Sequence, residues 1–178
     1  MNEQARSGAL LTGPTGHTGQ ALLGIYLNDH LAGATAGTDR ARHLATACRG
    51  SQIGAAMAPV AAEIAEDRKA LMGIMRRLDI PIRRYKVYAG RLGERAGRLK
   101  SNGRLVRRSP LSSLLELELL QIGVHGKTCA WQVLRRLSER DERLDAQLLD
   151  GLLERARGQL HTIDEIRHRQ AEETFHLA

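Results

Sequence analysis

The stretch "SSLLELELLQIGVHGKTCAW", Ser112 to Trp131, decides how the chain folds. Its leucines recur at helical spacing, and a seam at intervals of three and four runs through Leu111, Leu115, Glu118, Ile122, His125, Cys129 and Val133. That seam predicts a helix whose inward side carries a carboxylate and an imidazole. The residues just before it, "RSPLSSLLE", hold dense start signals: Ser109 as N-cap, Pro110 at the first helical position, and Ser113 with Glu116 as a second capping pair.

Working outward, the same periodicity finds three more helices. A first, over about 19–49, places Leu23, Leu27, His30, Ala34, Ala41 and Leu44 on one face. A second carries Ile53, Met57, Val60, Ile64, Asp67, Leu71, Ile74 and Leu78, with Pro59 as a kink or late start and Pro81 as terminator. After the third, "SERDERLD" is a short connection into a fourth helix over about 143–175, with Leu148, Leu152, Ala156, Ile163 and Ile166 as its buried face. Residues 1–18, rich in Gly and Thr without apolar periodicity, read as a mobile arm, and 19–176 as one all-α domain. Composition agrees: 178 residues with 42% hydrophobic suffice for one core, and only 3% aromatic residues among abundant Leu, Ala and Gly favours helices over strands.

The first and second helices, and the third and fourth, are joined by short links, whereas a long crossover, 80–108, separates the second from the third. In helix number, helix length and linker pattern the chain resembles the ferritin-like superfamily over about residues 19–176. The resemblance implies an up-down-down-up bundle, because one long crossover reverses the alternation that short links impose. It also implies an iron or manganese site of inward carboxylates and Glu-x-x-His pairs. The literal match, Glu165 to His168, projects opposite the apolar stripe of its helix and reads as a solvated face. The second helix has Glu63, Glu66 and Asp67 where a second pair belongs.

What periodicity turns inward is another set: His30, Asp67, Glu118 and His125, with Gln159, Arg167 and Gln170 on the fourth helix. Buried charges must be satisfied, so two readings follow. In one, His30, Asp67, Glu118 and His125 ligate iron or manganese, with Glu63 as a further ligand or proton acceptor, in a metal-dependent oxidoreductase. In the other, Arg167 supplies the cation, pairs with Asp67 or Glu118, and the layer is structural. The chain is then a non-catalytic or degenerate ferritin-like bundle that acts by self-association or with a partner protein.

The crossover supports a third reading. Residues 81–108 carry ten Lys and Arg against Glu94, a charge of +9, so the rest of the chain, whose total is +7, sums to −2. Arg83, Arg84, Lys86, Arg91, Arg95, Arg98 and Lys100, interleaved with Tyr85 and Tyr88, could hold nucleic acid or another polyanion, and a short helix over 83–99 would present them. There is no P-loop, nucleophile elbow, dinucleotide fingerprint or zinc spacing, which removes support for kinase, hydrolase and dehydrogenase chemistry. Cys48 and Cys129 are distant and unpatterned, no secretory signal opens the chain, and no apolar run reaches the roughly 20 residues of a bilayer span. A cytoplasmic protein with free thiols, away from membranes, is the expectation.

Overall fold

The computed structural model describes residues 15–83 and 109–176. They form four long helices: α1 (Thr15–Ala47), α2 (Gln52–Arg77), α3 (Pro110–Leu137) and α4 (Ala146–Phe175). Among the described residues there is no strand, and no helix is long and apolar enough to cross a membrane. Residues 1–14 of the expected N-terminal arm and most of the basic crossover, including Arg84, Lys86, Arg91, Arg95, Arg98 and Lys100, lie outside the described residues, whereas 15–18, also expected in the arm, are the first turn of α1.

The helices pack as a ring in which α1 touches α2 and α3, and α4 touches α3 and α2. Leu27, Leu31, Leu44, Met57, Ile74, Met75, Leu117, Leu134, Leu149 and Leu152 fill its interior and are all but sealed from solvent. The α2 seam is buried as the sequence predicts from Met57 to Leu78, with Asp67 among its apolar neighbours and Ile53 half-buried at its start. Pro59 sits inside α2 without ending it.

The link between α1 and α2 is tight enough to demand glycine. A Cβ on Gly54 would lie 2.2 Å from the Cys48 carbonyl oxygen, and Gly50 takes a φ of +87°. Ser51 caps α2 by accepting from the Gly54 N–H, and Asp145 caps α4 by accepting from the Leu148 N–H. Ser109 occupies the N-cap position of α3 but makes no side-chain capping bond, and Ser113, expected in a second cap, is buried instead.

After α2 the chain is held against α1 by one buried amide. Asn28 Nδ2 donates to the carbonyls of Gly24 (2.7 Å) and Pro81 (3.0 Å), while its Oδ1 accepts from the Arg83 N–H at 2.7 Å. Gln20 adds a bond to the Leu78 carbonyl at 2.8 Å.

The face of α3 is where the sequence expectation fails. Leu115, Ile122 and Val133 are 44%, 67% and 41% exposed, and His125 and Cys129 are exposed as well. Glu118 and Leu111 are half-buried. The residues turned inward are Leu114, Leu117, Leu120, Val124, Trp131 and Leu134. Leucines on almost every side of the first turns make two seams of equal periodicity, and packing selects the one with fewer polar residues.

Candidate functional site

The buried seam of α3 has one charged interruption, Lys127, between Val124 and Trp131. Its Nζ donates to Asp67 Oδ2 at 2.6 Å and to Gln159 Oε1. Asp67 and Gln159 are each 1% exposed. The Asp67 carboxylate also accepts from Arg155 at 3.0 Å on Oδ1 and from Gln159 Nε2 at 3.1 Å on Oδ2. Gln159 Nε2 reaches Glu63 Oε2 as well, at 3.1 Å.

This cluster joins three helices. Asp67 comes from α2, Lys127 from α3, and Arg155 and Gln159, one turn apart, from α4. Since α2 and α3 stand across the diagonal of the ring, the four-carbon stem of lysine is what lets the pair meet. Burial pulls the Lys127 ammonium below its ordinary range, and the neighbouring Asp67 carboxylate opposes that shift. The arrangement is a buried ion pair whose carboxylate is also met by the Arg155 guanidinium and the Gln159 amide, the condition under which such a pair is tolerated.

Beside the cluster, a cavity of about 350 Å3 lies between α1, α2 and α3. Asp67, Arg68 and Lys127 give it charged groups from α2 and α3, Tyr26, Asp29 and His30 line it from α1, and Trp131 from α3. The Tyr26 and His30 rings meet edge to face with centroids 4.4 Å apart. Burial lowers the His30 pKa, and the nearby Asp29 charge works the other way. Trp131 is 1% exposed, and its Nε1 finds no hydrogen-bond partner among the described residues.

Of the residues singled out from sequence, Asp67, Gln159 and Glu63 come together, and His30 joins Asp67 on the cavity wall. Glu118 and His125 do not line that cavity. Cys129, expected on the packed seam, is exposed. Arg167 is not the central cation: it bonds to Asp164 on its own helix at 2.8 Å. Gln170 is buried, but it bonds to Thr174 one turn on. Lys127 and Arg155 were missed, although Lys127 breaks a seam of otherwise unbroken spacing through Leu117, Leu120, Val124, Trp131 and Leu134. The Glu165 and His168 side chains are exposed, as the periodicity reads.

The four ligands proposed for iron or manganese do not fit that role in this arrangement. An ammonium and a guanidinium sit on the Asp67 carboxylate where a cation would bind, and Glu118 and His125 lie off the cavity. Among the described residues, no group of three His, Cys, Asp or Glu is close enough to hold a metal ion. No family model matches the chain, and neither a curated protein nor a solved structure matches it.

Proposed function

We propose that the protein is a non-catalytic bundle of ferritin-like topology that works by associating with a second copy of itself through the outward seam of α3. The topology draws support from which ends lie together. Cys48 Sγ, just after α1, is 4.0 Å from Ser113 Oγ at the start of α3, and Asp79, just after α2, is 3.8 Å from Arg143 in the link between α3 and α4. With these ends paired, the chain runs up, down, down and up.

The observation that carries association is that α3 is apolar on two sides. Its outward side presents Leu115, Leu119 and Ile122, then Val133 and Leu137, each between 36% and 67% exposed. A helix apolar on opposite sides is normally covered on both. A two-fold pairing of antiparallel α3 helices about Ile122 sets Leu115 of one copy against Cys129 of the other and Glu118 near His125. Gly123 and Gly126 lie on the same stretch with nothing within 4 Å of the place a Cβ would take, so two backbones can approach closely. The carboxylate and imidazole of the opening stretch then answer each other between copies rather than within one.

The test is the molar mass in solution. Light scattering behind gel filtration should return a dimer for the wild type and a monomer for Ile122→Lys, with unchanged helix content. Exchanging the pair as Glu118→His with His125→Glu should keep the dimer, while either change alone weakens it. A wild-type chain that stays monomeric at the highest attainable concentration overturns the reading.

A further inference from the structure

The outward seam of α3 carries three side chains that the fold leaves without partners. Glu118 is half-buried, His125 and Cys129 are exposed, and none of the three makes a side-chain hydrogen bond or ion pair among the described residues. The exposed histidines of α4 differ: His161 faces Glu165 at 3.5 Å and His168 faces Asp164 at 3.4 Å, each one turn away on the same helix. His125 and Cys129 are four residues apart, the spacing that brings two side chains together on one helix face. An imidazole and a thiol so placed are two of the ligands that zinc takes, and they lack a third.

In the two-fold pairing of α3 about Ile122, on which the site depends, that third ligand comes from the other copy. At about 100° per residue, Glu118, His125 and Cys129 all stand on one side of Ile122, within about 60° of it. A two-fold axis perpendicular to both helices sets that side of one copy next to the same side of the other. Glu118 is four residues from the axis and His125 three. With a rise of about 1.5 Å per residue, Glu118 of one copy comes within about 1.5 Å of the level of His125 in the other, and about 4.5 Å short of Cys129. The carboxylate arrives beside the imidazole, on the near side of the thiol.

We infer that the paired α3 helices hold zinc between copies, each ion bound by His125 and Cys129 of one copy and Glu118 of the other, with water in the fourth position. The two-fold axis makes two such sites, one ion per chain. Imidazole nitrogen, thiolate sulfur and carboxylate oxygen are all zinc ligands, and the thiolate selects against magnesium, calcium and manganese. Cys129 binds as the thiolate, and its proton passes to solvent. One copy alone does not supply the set: among the described residues no three His, Cys, Asp or Glu gather closely enough to hold a metal.

The full chain, prepared without a polyhistidine tag and freed of metal by chelator under reducing conditions, is titrated with Co2+ and then with Zn2+. Cobalt should give the near-ultraviolet charge-transfer band of a thiolate ligand, saturating at one ion per chain, and zinc should displace it. Cys129→Ser should abolish that band, and Cys48→Ser should leave it. His125→Ala and Glu118→Ala, both away from the core, should keep the helix content and weaken zinc by more than about a hundredfold, beyond the loss of a group that only orients a ligand. Ile122→Lys, which separates the copies, should weaken zinc as much. Undiminished affinity in any of the three ligand variants overturns the set. Light scattering on the same samples tells this inference from the pairing itself. A dimer that gives no thiolate band overturns the zinc site and leaves the pairing standing, whereas a chain monomeric with and without zinc overturns both. An Ile122→Lys monomer that binds zinc as tightly as the wild type overturns the sharing between copies.

Discussion

The two seams of α3 have the same periodicity and opposite fates. One, through Leu117, Leu120, Val124 and Leu134, is buried with Lys127 at its centre; the other, through Leu115, Ile122 and Val133, faces out with Glu118 and His125 at its centre. Spacing says that a stripe exists, not which way it turns. The buried stripe has a single charge, and partners on two other helices complete it. The outward stripe has a carboxylate and an imidazole seven residues apart, which one copy of α3 cannot bring together across two turns. Charge that can be met within the chain goes in, and charge that cannot stays out.

The strongest way to break this contrast is paired truncation. Leu117→Ala, at a fully buried site, should lower unfolding free energy by about 2–5 kcal/mol, whereas Leu115→Ala should stay within about 0.5 kcal/mol in the monomer, both read from denaturant midpoints. Equal losses would erase the distinction between the seams. Next, Lys127→Ala strips the closest cation from a buried carboxylate and should cost about 3 kcal/mol. Combining it with Asp67→Leu should recover much of that loss, because no unpaired charge then remains. A double variant no better than the single one would assign the loss to packing.

The smallest effect sharpens the cavity side of the comparison. His30 has a folded-state pKa below its unfolded value, so the unfolded chain binds the proton more readily. The stabilising contribution is therefore complete above the unfolded pKa and is lost as pH falls through the folded one. Between pH 7 and pH 5 the melting temperature should fall more steeply for the wild type than for His30→Gln. Parallel profiles would remove His30 from the acid response.

Much of the fold could be read from α2, where a single seam with one polar member left no choice of face. Asp67 was legible for that reason, and Gln159 and Gln170 likewise on α4. On α3, five leucines between Leu114 and Leu120 cover most of the helix circumference, so the wrong seam was as regular as the right one. Lys127 was overlooked because a lysine is expected at the surface, and its stem can cross a bundle only once the neighbours are known. Arg155, 40% exposed at its side chain, gives no sequence sign of reaching inward. Arg167 sits on the expected helix but finds Asp164 three residues back, a local partner that periodicity does not weigh.

The amide of Asn28 bears on how the molecule ages. Both of its N–H bonds are directed at carbonyl oxygens, of Gly24 and Pro81, and its own oxygen receives the Arg83 N–H. Hydrolytic deamidation exchanges that one nitrogen for oxygen. The new carboxylate would face two carbonyls with no proton between them, and of the three bonds only the one from the Arg83 N–H would remain. Time alone, acting on a single atom, would set the Pro81 carbonyl against a charge where the fold now has a bond.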